Sequence, residues 1–288
     1  MSLNIQKAVI PAAGLGTRLL PITKTQPKEM LPIAFKPLIQ FAVEEAVEAG
    51  ITDIIIITSQ NRQAIADYFA PAPGLSAALA GKNEFRMQDD LARLESMADI
   101  TYVTQPKPLG LGHAIALANK VVGDAPFAVI LPDDLIDYPE SGLCQMMPIF
   151  AEYGTSVLAV ETVDRQDIHK YGVIRPQQVR EHVYKVKGLV EKPGPDAAPS
   201  SLGIVGRYIL TPDIFEALAH TMPDSHGEIQ LTNALALMLE RQAIYALSLH
   251  GARYDAGSPL GYLEAQVVYG LRHPDVGDKL RSNLRRLI

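Results

Sequence analysis

At 288 residues the chain is long for a one-core minimal domain and short for two full ones, so one α/β domain with insertions is the simplest architecture. A composition of 48% hydrophobic and 20% charged residues excludes a disordered or fibrous protein. A formal net charge of -6 excludes a general nucleic-acid binder, although Arg18, Lys24, Lys28 and Lys36 concentrate positive charge near the start and point to a compact anionic ligand. Cys144 is the single cysteine, so no intrachain disulfide forms; its expected role is packing on a helix. The opening MSLNIQKAVIPAAG has no apolar run of signal-peptide length, and no stretch approaches the roughly 20 apolar residues of a membrane helix. A cytoplasmic protein without a membrane partner is expected.

Short apolar strands alternate with helical stretches through the first half. Ala8–Pro11 reads as a buried strand broken by Gly14-Leu15-Gly16; Ile39, Val43, Ala46 and Val47 fall at helical spacing, with Gly50 as the C-terminal cap. Ile54–Thr58 is a β-branched run suited to a strand buried on both faces. Ile65, Tyr68 and Phe69 point to a helix, and Ala70–Gly81 to a mobile loop or short helix. Ile100–Thr104 reads as a strand, Gly112–Lys120 as a helix and Phe127–Leu131 as a second fully apolar strand. This rhythm predicts a parallel sheet with right-handed crossovers and a ligand at the carboxyl ends of the strands. From Ser156 the pattern changes: Val173–Arg175, Val183–Val190 and Ile204–Leu210 read as strands without full helices between them. That predicts a small antiparallel extension on a mainly parallel, mixed sheet flanked by helices. Helices follow at about 212–220, 228–241 and 259–271. The expectation is one domain, with parts at about 1–155, 156–258 and 259–288.

Directly after the first strand stands Ala12-Ala13-Gly14-Leu15-Gly16-Thr17-Arg18. Its glycines allow close backbone approach, and successive N–H groups suit phosphate oxygens. A dinucleotide fingerprint would have a third glycine where Leu19 stands, followed by a helix that Pro21 and Pro27 forbid. The segment runs on instead to Lys28, which brings a second cation beside Arg18.

The AAGLGTRLLPITKTQPKEMLPI segment with Lys36-Pro37-Leu38-Ile39-Gln40 resembles the bacterial UTP–glucose-1-phosphate uridylyltransferases, within the sugar nucleotidyltransferases. The likeness continues through Gln105-Pro106, GLGHA at 110–114, Leu131-Pro132-Asp133-Asp134, Tyr171-Gly172-Val173, Val190-Glu191-Lys192-Pro193, Val205-Gly206-Arg207-Tyr208, EIQLT at 228–232 and Tyr254-Asp255. The resemblance implies a Rossmann-like nucleotidyltransferase fold, a nucleotide-binding first part and a sugar-binding second part. It also implies UTP and glucose 1-phosphate as substrates, Mg²⁺ as cofactor, and a homodimer or homotetramer. Asp133, at a strand's carboxyl end, and Asp255, in the polar loop 253–258, are by this resemblance the metal carboxylates, with Asp134 expected to orient the loop or a ligating water. Arg18 and Lys28 serve the triphosphate along with Gly14, Gly16 and Thr17. Ala12, Ala13, Gln105 and Gly110 serve the nucleoside. Gly172, Glu191, Lys192 and Val205 form the sugar-phosphate site. Arg18, Lys28, Asp133 and Lys192 are the expected catalytic set, and His113 is expected to be structural. A Glu-Lys pair on a regular strand, however, points to opposite faces.

The chain departs from the family pattern at Phe35, Asn233 and Ala256, and in a shorter 70–100 segment. Val267, Val268 and Leu271, then Leu280, Leu284 and Leu287, offer an apolar helical face for self-association or for packing within the subunit. The competing functions are the same transfer from dTTP, a non-catalytic relative, and a dinucleotide oxidoreductase.

Overall fold

The computed structural model describes residues 5–60 and 63–287, and residues 1–4, on which the reading of the N-terminus partly depends, lie outside that range. In chain order the elements are β1 (Lys7–Ala12), the two-stranded hairpin β2 (Pro32–Ile33) and β3 (Lys36–Pro37), α1 (Leu38–Glu48), β4 (Asp53–Thr58), α2 (Gln63–Phe69), α3 (Pro73–Gly81), α4 (Phe85–Ser96) and β5 (Asp99–Thr104). Then come α5 (Leu111–Ala116), α6 (Asn119–Val122), β6 (Phe127–Ile130), β7 (Asp134–Asp137), α7 (Gly142–Tyr153) and β8 (Val157–Thr162). The last third holds β9 (Gly172–Arg180), β10 (Val183–Glu191), β11 (Leu202–Leu210), α8 (Asp213–His220), α9 (Leu231–Met238), β12 (Tyr245–Ser248), β13 (Ala252–Asp255), α10 (Pro259–Arg272) and α11 (Gly277–Leu287).

Nine strands form one sheet in the order β5-β4-β1-β6-β11-β8-β12-β10-β9. The β5, β4, β1 and β6 half is parallel, as the alternation of strands and helices predicts. Strand β11 then enters antiparallel to both β6 and β8, so the later strands continue the same sheet. All nine residues of β11 are buried. Side chains alternate cleanly across this sheet: Val9, Ile55, Ile57, Val129 and Val160 enter the core on one face, and Ala8, Ile10, Ile54, Ile56 and Ile130 the core on the other. Each fully buried Ile or Val contributes about 1.5–3 kcal/mol by leaving water, so this pattern fixes the register.

Several elements differ from the sequence reading. The 112–120 helix is two short ones, α5 and α6, and the 228–241 helix begins only at Leu231, leaving Glu228–Gln230 as loop. Of the two expectations for 70–81 the short helix holds, as α3 from Pro73, but a second helix, α4, follows it where none is expected. Cys144 lies on α7, where burial pushes its thiol up, in keeping with a packing role. Among the described residues, no helix is long and apolar enough to cross a membrane.

Candidate active site

The segment after β1 folds back on itself as three 3-10 turns, Thr17–Leu19, Ile22–Lys24 and Lys28–Met30, because prolines at 21 and 27 deny it a regular helix. Gly16 is held at φ +62°, a region costly for any residue with a Cβ, and Thr23 Oγ1 donates to its carbonyl at 2.8 Å. The amides of Gly14, Leu15 and Gly16 have no acceptor among the described residues, so they are available to an anion.

This loop lines a cavity of about 410 Å³ together with Ala13, Thr17, Lys28, Gln105 and Gly110. A second cavity, of about 330 Å³, is lined by Arg18, Gly172, Glu191, Lys192, Val205 and Asp255 among others. Leu111, Leu131, Asp133 and Glu228 line both, so the two are halves of one cleft with Asp133 at the junction. The carboxyl ends of β1 and β6 open into it, as a parallel sheet requires. A further cavity of about 310 Å³, between α8 and α9, contains none of the predicted site residues.

At the junction, Lys28 Nζ lies 2.5 Å from Asp133 Oδ2 and Arg18 Nη1 lies 3.3 Å from Asp255 Oδ2. Burial works against charge on Lys28, but Asp133 and Glu29 outweigh it and push the ammonium up to about 12. Burial likewise disfavours the Asp133 carboxylate, yet Lys28 overrides it and holds the carboxyl below its ordinary range. Asp255 is raised, first by burial and then by repulsion from Asp134, with Arg18 partly offsetting both. A methyl group added at Gly257 would lie 2.5 Å from Asp133 Oδ2, 2.9 Å from Arg18 Nη2 and 3.0 Å from Asp255 Oδ1. Two carboxylates and a guanidinium therefore converge on one small space that only a glycine leaves open. Asp255 is not in a loop, as the sequence reading has it. It ends β13, which pairs with β7 and sets Asp255 opposite Asp134.

Asp134 orients its surroundings: Gly206 N–H donates to its Oδ2 at 2.8 Å, and Arg253 Nη1 donates to its Oδ1. Arg253 also donates to Glu161 Oε1 at 2.5 Å and to the Tyr171 hydroxyl at 2.6 Å, which ties the Asp133 loop to the sugar side. On that side Lys192 has φ +44°, which turns the chain so that its Nζ sits 3.3 Å from Glu191 Oε1. The expectation of opposite faces for this pair fails for that reason, and both line the same cavity. Gly172 is packed tightly: a methyl there would lie 2.4 Å from Thr232 Oγ1 and 3.2 Å from Glu191 Oε2.

On the nucleotide side the Gln105 carboxamide nitrogen lies 2.9 Å from His113 Nδ1 and donates to the Gly110 carbonyl at 3.2 Å. His113 thereby fixes which end of Gln105 faces the cavity, a structural role. Gly110 lines the cavity, but its need for glycine has another cause: φ +92°, and an Ile229 carbonyl 2.8 Å from where a methyl would sit. Arg253, Tyr171, Thr232 and Glu29 carry no role expected from the sequence, although all four stand within or beside the quoted motifs. Glu29 is 1% exposed, and neither carboxylate oxygen has a partner among the described residues. Burial lifts it to about 7 against the pull of Lys28.

The chain matches the nucleotidyl transferase family over residues 7–270. It is 44% identical over 288 residues to a Bacillus subtilis protein named UTP–glucose-1-phosphate uridylyltransferase YngB, covering 100% of this chain and 97% of that protein. A UTP-bound UDP-glucose pyrophosphorylase from Acinetobacter baumannii superposes with a TM-score of 0.92 at 38% identity, covering 99% of this chain and 100% of that one. A UDP-glucose pyrophosphorylase complexed with UDP-glucose gives a TM-score of 0.85 at 45% identity over 94% of this chain and 100% of its own. With this cleft, these matched residues and these full-length likenesses, the chain belongs to the nucleotidyl transferase family, among the UTP–glucose-1-phosphate uridylyltransferases.

Proposed function

We propose that this protein transfers the uridylyl group of UTP to α-D-glucose 1-phosphate, giving UDP-glucose and pyrophosphate in a Mg²⁺-dependent reaction. The observation that carries this reading is the convergence of Asp133, Asp255 and Arg18 at Gly257, where the two halves of the cleft meet. UTP fits the half lined by the glycine loop: Gln105 and the Ala12–Ala13 backbone offer hydrogen bonds to the uracil imide, and the free amides of Gly14 to Gly16 meet phosphate oxygens. Glucose 1-phosphate fits the half lined by Gly172, Val205, Glu191 and Lys192. Glu191 accepts from sugar hydroxyls, and Lys192 holds the sugar's phosphate.

The chemistry is an in-line displacement. A phosphate oxygen of the sugar attacks the α-phosphorus, a new P–O bond forms there, and the bond to the β-phosphate breaks with its electrons leaving on pyrophosphate. That oxygen is already an anion, so no protein base is needed. Asp133 and Asp255 would hold Mg²⁺, which when bound neutralises the phosphates and stabilises charge at the reacting phosphorus. The residues fit the ion: two carboxylate oxygens face one glycine-sized space, and both are hard anionic oxygen ligands of the kind it takes. Among the described residues no group of three or more His, Cys, Asp or Glu is arranged for a metal, so substrate and water oxygens would have to supply its remaining ligands. Lys28 now neutralises Asp133; with substrate bound its ammonium turns to the triphosphate, and with Arg18 it meets the charge that grows on pyrophosphate.

A pyrophosphate-release screen of four nucleoside triphosphates against several sugar 1-phosphates, with and without EDTA, tests the whole reading. UTP with glucose 1-phosphate should be the best pair and EDTA should abolish turnover. Equal or better turnover with dTTP, or with an N-acetylated or mannose sugar phosphate, overturns the substrate assignment. Self-association into a homodimer or homotetramer is part of the same proposal. Its support is the exposed stripe of Leu260, Leu263 and Val267 on α10, whereas Leu280 and Leu284 of α11 are partly covered. Light scattering on the purified protein decides it.

A further inference from the structure

The loop that carries Asp133 is gripped from behind by a side chain of the central strand. Arg207, on the central strand β11, is 2% exposed. Its Nη1 donates to the carbonyls of Leu131 and Gly206, each at 3.0 Å, and its Nη2 donates to the Asp134 carbonyl at 2.7 Å. Its Nε and Nη2 also donate to the two carboxylate oxygens of Glu45, at 2.8 and 2.7 Å. Leu131 and Asp134 flank Pro132-Asp133, so the guanidinium holds both ends of the turn whose apex faces Lys28 and Gly257. Gly206 completes the grip: its carbonyl accepts from Leu131 N–H at 2.8 Å, and its own N–H donates to Asp134 Oδ2 at 2.8 Å. Glu45, on α1, also accepts the Leu143 N–H at 3.0 Å at the start of α7.

A buried ion pair is poor evidence for stability, because desolvating two charges offsets most of their attraction, and an apolar pair of similar volume serves a core as well. What this pair supplies is geometry. A planar fork satisfies two carbonyls of one turn and a bidentate carboxylate at once, in fixed directions, and no apolar side chain does that. We infer that Arg207, held by Glu45, is a positioning residue for Asp133: it sets the height of the Leu131–Asp134 turn in the cleft and so the place where the carboxylate meets substrate phosphates and cation. The inference rests on the proposed role of Asp133 in holding that cation.

The test uses the full chain carrying Arg207→Lys, which keeps the charge but not the fork, and Glu45→Gln, which loosens the fork without removing it. Ile51→Ala, a core change at the far end of β4 from the cleft, serves as a control for lost stability alone. Two readouts are taken well below each Tm: kcat, KM and half-saturating Mg²⁺ for the reaction, and amide hydrogen exchange of Leu131, Asp133 and Asp134 in the protein without ligands. For Arg207→Lys the expected result is a fall in kcat of about 10–100-fold, a rise in half-saturating Mg²⁺, and KM for glucose 1-phosphate within about threefold of the parent. Exchange at Leu131 and Asp134 should quicken while β1 and β4 stay protected. Ile51→Ala should lose Tm but keep kcat within about twofold. If Arg207→Lys does not fold, Glu45→Gln answers the same question. Unchanged exchange at Leu131, Asp133 and Asp134 with kcat within about threefold, in whichever variant folds, overturns the inference. If instead the parent protein needs no divalent ion or ignores UTP, the functional reading falls, and the loop's exchange still decides whether Arg207 holds it.

Discussion

Replacing Glu29 by Gln should stabilise the protein in a pH-dependent way. The carboxyl is buried without a partner and lifted from its ordinary 4.5 to about 7. Below pH 4.5 the group is protonated in both folded and unfolded chains and contributes no difference. Between 4.5 and 7 the folded state keeps a proton that the unfolded state has lost, so wild-type stability falls as pH rises, and above 7 the loss is complete. At about 1.4 kcal/mol for each pH unit between the two values, that loss is on the order of 3 kcal/mol. Lys28, pushed to about 12, stays charged throughout and does not blur the window. Gln is nearly isosteric and never ionises, so any constant difference between the side chains drops out when two pH values are compared. Guanidinium unfolding followed by circular dichroism at pH 5 and pH 8 is the assay. The advantage of Glu29→Gln over wild type should grow by roughly 2–3 kcal/mol between those two values. A constant difference across the range, or a variant that loses ground at pH 8, refutes the reasoning.

Gly257→Ala should abolish turnover by at least about 100-fold while leaving Tm within a few degrees, since its methyl fills the space between Asp133, Asp255 and Arg18 without entering the core; a variant with full activity contradicts the convergence described above. Asp133→Asn should cost on the order of 10²-fold in kcat and blunt the response to Mg²⁺, read from initial rates across a metal titration. Lys192→Ala should raise KM for glucose 1-phosphate by about tenfold or more with little change in KM for UTP; the reverse split would move Lys192 to the nucleotide side. Gly172→Ala, which drives a methyl into Thr232 and Glu191, should show the same split more weakly, measured by the same saturation curves.

The parallel half of the sheet was legible because IIIIT at 54–58 and the apolar 127–131 run leave few alternatives to buried strands. The glycine loop was legible because Pro21 and Pro27 forbid the helix that a dinucleotide fold needs. What escaped has physical causes. Strand β11 reads as part of a peripheral extension because local pattern does not say which strands are neighbours, and its place beside β6 is set by contacts far apart in sequence. Helix α4 was missed because it is mostly polar and buries none of its residues fully. The Glu191–Lys192 geometry depends on one left-handed residue that no sequence rule assigns to lysine. Glu29 escaped because a Glu beside a Lys normally sits in water; only the fold shows that its oxygens are shut in.

The seam where β6 meets the antiparallel strand β11 bears on how the specificity of such a chain changes over time or under selection. UTP-side groups come from the loops after β1, β5 and β6, whereas Glu191, Lys192 and Gly172 come from the β9–β10 hairpin at the opposite edge of the same sheet. Among the described residues no hydrogen bond joins that hairpin to Gln105 or Gly110, so free-energy effects of changes on it should add to those made around Gln105. A new sugar acceptor is then reachable by small steps on the hairpin with the nucleotide half unaltered. Changes on β11 do not have that freedom, because one rigid strand supplies Val205 to the sugar cavity and Arg207 to the turn of Asp133. Variation in acceptor choice should therefore collect on the hairpin and avoid the seam.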